Sequence, residues 1–80
     1  MKLLGKEVKI EADIEFGIIE DLENNPENIN NVRKFIMATT GLSHKEIRQL
    51  KQSDFLKIMA GFSKAQKLMQ TDFKKKLSGL

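Results

Sequence analysis

From Glu7 to Phe16 the chain alternates without a break. Val8, Ile10, Ala12, Ile14 and Phe16 are apolar, and Glu7, Lys9, Glu11, Asp13 and Glu15 between them are charged. A period of two sends successive side chains to opposite faces of an extended segment. The spacing therefore predicts a strand with one dry and one wet face, Phe16 lying on the dry side. Upstream, Lys2-Leu3-Leu4 can pair with it across a turn at Gly5-Lys6, giving a strand region over 2–16. A lone hairpin is marginal in water, so its dry face needs cover from the helices that follow or from another copy of the chain.

At Gly17 the period changes. Ile18, Ile19 and Leu22 fit one side of a helix over 17–24, with Glu20, Asp21 and Glu23 on the other, and Asn24-Asn25-Pro26 closes it. Pro26 is expected in the first turn of a second helix over 27–39, where its missing N–H costs nothing. Ile29, Val32, Phe35 and Ile36 give that helix its apolar face, and Gly41 is its expected left-handed cap. Ser43 and Glu46 have capping-box spacing and open a third helix over 43–52, with Ile47 and Leu50 inward. Ser53-Asp54 begin the last, 54–77, with Phe55, Ile58 and Phe62 as core. Gly61 costs about 1 kcal/mol inside a helix, so a break there is the alternative to a continuous helix. Ser63 to Gln66 repeats the capping-box spacing. Lys74-Lys75-Lys76 suit a helix C-terminus, and residues 78–80 are expected to fray. The prediction is a single mainly α domain over 1–80, a small multi-helix unit with a short N-terminal β-strand or hairpin.

Composition narrows the function. Eighty residues make one domain, which buries about 60% of its unfolded surface and has little stability to spare. With no cysteine and one histidine, disulfides, thiolate metal sites and histidine-rich metal sites are excluded, and no cofactor is expected. No apolar run approaches the roughly 18 residues of a membrane span, and the N-terminus lacks a signal-peptide core, so a cytoplasmic location is expected. No Ser-His-acid arrangement and no Gly-rich phosphate loop can be drawn from the spacing. Asp13 and Glu15 share a strand face, which is ordinarily a solvated one. The expectation is a protein that binds other macromolecules and is not an enzyme.

The charge is uneven. Residues 1–40 carry five Lys/Arg against eight Asp/Glu, and residues 41–80 carry nine against three. An acidic front and a basic back suit a nucleic-acid face or head-to-tail attraction between copies. Two local patterns give these readings residues. The first is a helix–turn–helix: Gly41, Leu42, Ile47 and Leu50 fall where that motif wants them. Its second helix would then expose His44, Lys45, Arg48 and Gln49 to DNA. Against it, Met37 stands at the close crossing, where the motif wants Ala, and Glu46 and Asp54 put negative charge beside the phosphate path. The second pattern is the apolar stripe of the last helix. Met59 and, beyond Gln66, Met69, Phe73 and Leu77, flanked by Lys67 and Lys74, form a predicted partner-binding or self-association face.

The run from Val8 through Phe16-Gly17 to Leu22, preceded by a Gly5-Lys6 turn, resembles the opening of tail assembly chaperones of long-tailed bacteriophages. It is followed by a Thr40-Gly41-Leu42-Ser43 junction and by Ser53-Asp54-Phe55-Leu56, and the resemblance spans roughly residues 5–62. It implies a phage or prophage protein in the bacterial cytoplasm that self-associates into homo-oligomers. Such a protein coats the tape measure protein before tail tube subunits polymerise around it. A small helix–turn–helix DNA-binding protein is the alternative.

Overall fold

A computed structural model describes the backbone of residues 1–78 and the side chains of residues 1–70. The elements run in the order β1 (Lys2–Leu3), β2 (Lys6–Glu7), α1 (Phe16–Asn24), α2 (Ile29–Thr40), α3 (His44–Gln49) and α4 (Gln52–Ser78). The protein is mainly helical, with a short antiparallel hairpin at its N-terminus, as the periodicities predict.

The hairpin is much shorter than expected. Lys2 pairs with Glu7 and Leu3 with Lys6, and the turn falls on Leu4-Gly5, not on Gly5-Lys6. Both turn residues have positive φ, 53° and 76°, as a two-residue hairpin turn with the sheet's own twist requires. Leu4 adopts this left-handed conformation against its preference. One more bond, from Val8 N–H to the Met1 carbonyl (2.7 Å), prolongs the pairing, and there the ladder ends.

Residues 8–15 form no strand. They run as an extended strap over the helices, and the alternation survives as burial. Val8 and Ala12 are buried, Ile10 and Ile14 are half-buried, and Lys9, Glu11, Asp13 and Glu15 are exposed. Helices lie beneath the strap, so no neighbouring strand edge is there to take its backbone. One helix residue does that work instead. The Thr39 hydroxyl donates to the Glu11 carbonyl (2.6 Å), and the Glu11 N–H donates to the Thr39 carbonyl (2.7 Å). Thr39 is thereby the one buried polar residue among those described, with its hydrogen-bonding needs met. Phe16 departs from the alternation. It starts α1, where the period has already become helical, and is 73% exposed.

The helix ends follow their caps. Pro26 lies in a turn before α2 and not within its first turn, because Asn28 caps the helix by accepting from the Asn30 N–H (2.9 Å). Asn31 donates to the carbonyls of Asp21 and Asn25 and so satisfies the end of α1. Gly41, at φ 73°, returns its N–H to the Met37 carbonyl and ends α2 as expected. The Ser43–Glu46 capping box forms in full. Helix α3 then stops at Gln49, short of the expected 52, because Leu50 is extended. Lys51 stands just before the next helix, its N–H bound by Asp54 (3.0 Å). Helix α4 thus starts two residues earlier than predicted.

Helix α4 also runs unbroken through Gly61. A Cβ there would lie 2.6 Å from the Met1 Cε and 3.3 Å from the Ile10 Cγ1, so this glycine is where the N-terminal segment closes onto the helix. Ser63 falls in mid-helix. Its capping-box spacing caps nothing, because the N–H groups around it are already in the helical ladder.

The core joins β1, the strap, α2, α3 and α4 directly. Leu3, Val8 and Ala12 meet Phe35 and Ile36 of α2, Leu42 of the turn, Ile47 of α3, and Ile58 and Phe62 of α4. Phe35 and Phe62 pack edge to face, 4.8 Å between centroids. Ile18, Ile19 and Leu22 of α1 lie half-buried against this cluster, as does Phe55. Lys6 forms an ion pair with Glu46, tying the hairpin to the start of α3. That pairing, helped by the Ser43 N–H, holds the Glu46 carboxyl below the usual carboxylate range.

Candidate functional site

Three surfaces could do work, and each is built from elements whose positions the core dictates. The first is α4 itself. At 1.5 Å per residue its 27 residues span about 40 Å, most of the molecule's 45 Å long axis. Ile58, Phe62, Ala65 and Met69 form one row at spacings of three and four. Ile58 is fully buried and Phe62 nearly so, Ala65 is half-buried, and Met69 is 38% exposed. The row leaves the core without changing character. Where it leaves, a cleft of about 210 Å³ opens between α1 and α4, lined by Ile19, Leu22, Met59, Phe62 and Gln66 and edged by Glu23.

Of the residues predicted for this face, Met59 packs partly against the core and lines the cleft, while Lys67 and Met69 lie exposed farther along. Phe73, Lys74 and Leu77 fall outside the described side chains. The expected fraying of 78–80 falls largely on residues 79 and 80, outside the described residues.

The second surface is the outer side of α3. His44, Lys45, Arg48 and Gln49 are all exposed. The helix carrying them is six residues long, about 9 Å. Met37, at the position a helix–turn–helix keeps small, is half-buried against the core.

The third surface was not foreseen in the sequence. A groove of about 540 Å³ lies between the start of α2, α3 and the start of α4. Ile29, Val32, Ile36, Ile47, Leu50 and Phe55 make its apolar walls, and Arg33, Arg48 and Lys51 its charged rim. No acidic residue lines it. Ile29 is 60% exposed, and among the described residues none of the three rim cations is in an ion pair. Of the predicted DNA-contact residues, Arg48 alone reaches this groove; His44, Lys45 and Gln49 do not line it. The groove escapes sequence reading because three separated segments contribute to it. The available hint was the Ile29–Arg33 pair, an apolar residue and a cation on one helical face at i, i+4.

Among the described residues no group of three or more His, Cys, Asp or Glu could hold a metal ion, and no helix is long and apolar enough to cross a membrane. Comparison with family models, with curated proteins and with solved structures finds no match to this chain.

Proposed function

We propose that this protein is a non-catalytic tail assembly chaperone of phage or prophage origin. It self-associates and coats the tape measure protein in the bacterial cytoplasm. The observation that carries the reading is the row Ile58-Phe62-Ala65-Met69, which runs out of the core along α4 and stays apolar after its own domain has stopped covering it. A long helical partner with a bare apolar stripe would aggregate alone, and a small domain offering a projecting methionine-containing helix can cover such a stripe in many copies. The resemblance over residues 5–62 supplies the identity of the partner, and the chemistry of the row supplies the reason for contact.

Duplex DNA is the competing ligand, because His44, Lys45, Arg48 and Gln49 are exposed together on α3. The shortness of α3 and the long side chain of Met37, at a position the motif keeps small, weigh against it. Co-expression with a tape measure fragment tests the choice. The wild-type chain is expected to keep the fragment soluble and to co-purify with it, and Met69→Lys/Phe73→Asp to lose it while remaining folded by circular dichroism. A double variant that retains the fragment, or a wild-type chain that ignores the fragment and binds a short duplex with steep salt dependence, would overturn the proposal.

A further inference from the structure

The unexplained exposure of Phe16 and the unfilled groove fit one another. On α1, Ile18, Ile19 and Leu22 face the core, while Phe16, Glu20 and Glu23, at i, i+4 and i+7, share an exposed stripe whose edge, at Glu23, borders the α1–α4 cleft. This stripe is an aromatic side chain followed by two carboxylates. The groove is the reverse, an apolar trough rimmed by Arg33, Arg48 and Lys51. The two cannot meet within one molecule. No residue of α1 lines the groove, and Ile18, Ile19 and Leu22 hold α1 against the core cluster elsewhere.

We infer that α1 of one copy docks in the α2–α3–α4 groove of the next, Phe16 seated on Ile29, Val32 and Phe55, with Glu20 and Glu23 against Arg33 and Arg48. The occupant is a second copy of this chain, and charge complementarity selects it. A helix laid in a groove uses one face of each partner. Because stripe and groove are different surfaces, the contact is head-to-tail and repeats without closing on itself at two copies. The inference rests on the self-association proposed above and names its interface.

Two variants at exposed positions test it. Phe16→Glu destroys the stripe and leaves the groove. Ile29→Asp/Arg48→Glu destroys the groove and leaves the stripe. Light scattering behind a size-exclusion column should show wild-type mass growing with concentration and shrinking with salt, since the rim contacts are screened. Each variant alone should remain a monomer with a wild-type circular dichroism spectrum. Mixed, the two should form a dimer of one copy each and grow no further, because each dimer has spent its one good stripe and its one good groove. Variants that still grow in mass, or a mixture that stays monomeric, would overturn this interface while leaving self-association in place. A wild-type chain that stays monomeric at every concentration would overturn both.

Discussion

Ile58 and Met69 stand on the same row of the same helix, eleven residues apart, and meet opposite surroundings. Ile58 lies in the core cluster with residues of the hairpin, the strap and α2, and has no exposed surface. Met69 is chemically as apolar but lies beyond the reach of all three, with 38% of its surface in water. The difference teaches that an apolar row predicts cover and does not say who provides it. At the near end the chain's own N-terminal segment does. At the far end that segment does not reach, and Met69 keeps more than a third of its surface in water.

The comparison can be broken most forcefully at Ile58. Ile58→Ala should cost about 3 kcal/mol, the usual range for a buried large-to-small change, and urea melts should show it as a lower midpoint. Next comes the cover itself. Gly61→Leu would push its side chain into Met1 and Ile10 and lift the N-terminal segment, at a cost of about 2 kcal/mol by overpacking. Faster hydrogen exchange at the Glu11 amide would mark the lifted strap. Thr39→Val keeps the volume and removes the hydroxyl that serves the Glu11 carbonyl, with an expected loss of about 1.5 kcal/mol in the same melts.

A smaller effect is expected from Glu46→Gln, and it should depend on pH. The folded-state pKa of Glu46 is lowered, chiefly by Lys6, so its contribution is complete above the ordinary carboxylate value of about 4.5 and is lost as pH falls through the lowered one. The wild-type protein should therefore lose more stability than the variant between pH 6 and pH 3. Smallest of all, Met69→Lys should change the unfolding free energy in the same melts by no more than about 0.5 kcal/mol, as surface changes do. A loss of several kcal/mol there would mean that the far end of the row is core after all, and the contrast with Ile58 would disappear.

Much of the architecture was readable from local chemistry. Gly41 with its left-handed φ and the Ser43–Glu46 box bound α2 and α3 where the spacing put them, because caps act on atoms a few residues away. The misread boundaries were also local in cause. At the start of α2 the cap is Asn28 and not Pro26, and at the start of α4 the Asp54 carboxylate accepts from the Lys51 N–H three residues back. The strap failed for a different reason. Its alternation correctly gave one dry face and one wet face, but alternation describes side chains and is silent on where backbone hydrogen bonds go. Phe16 completed the alternation on paper and left it in the fold, since the helix had already begun.

The candidate surfaces divide in the same way. The exposure of His44, Lys45, Arg48 and Gln49 followed from helical phase alone, and so did the apolar row of α4. The rim of Arg33, Arg48 and Lys51 did not, because it exists only once three segments have been folded together. The amino-acid sequence by itself determined the period of each segment, the caps that end most helices, and the separation of acidic front from basic back. These depend on neighbours within one or two turns. Only the tertiary structure decided that an alternating segment becomes a strap latched by Thr39, and that Gly61 is a contact and not a break. It likewise decided that the apolar row outruns its cover and that a cation-rimmed groove stands open between α2, α3 and α4. Each of these depends on which distant residues the core brings within van der Waals or hydrogen-bond distance, and spacing along the chain carries no record of that.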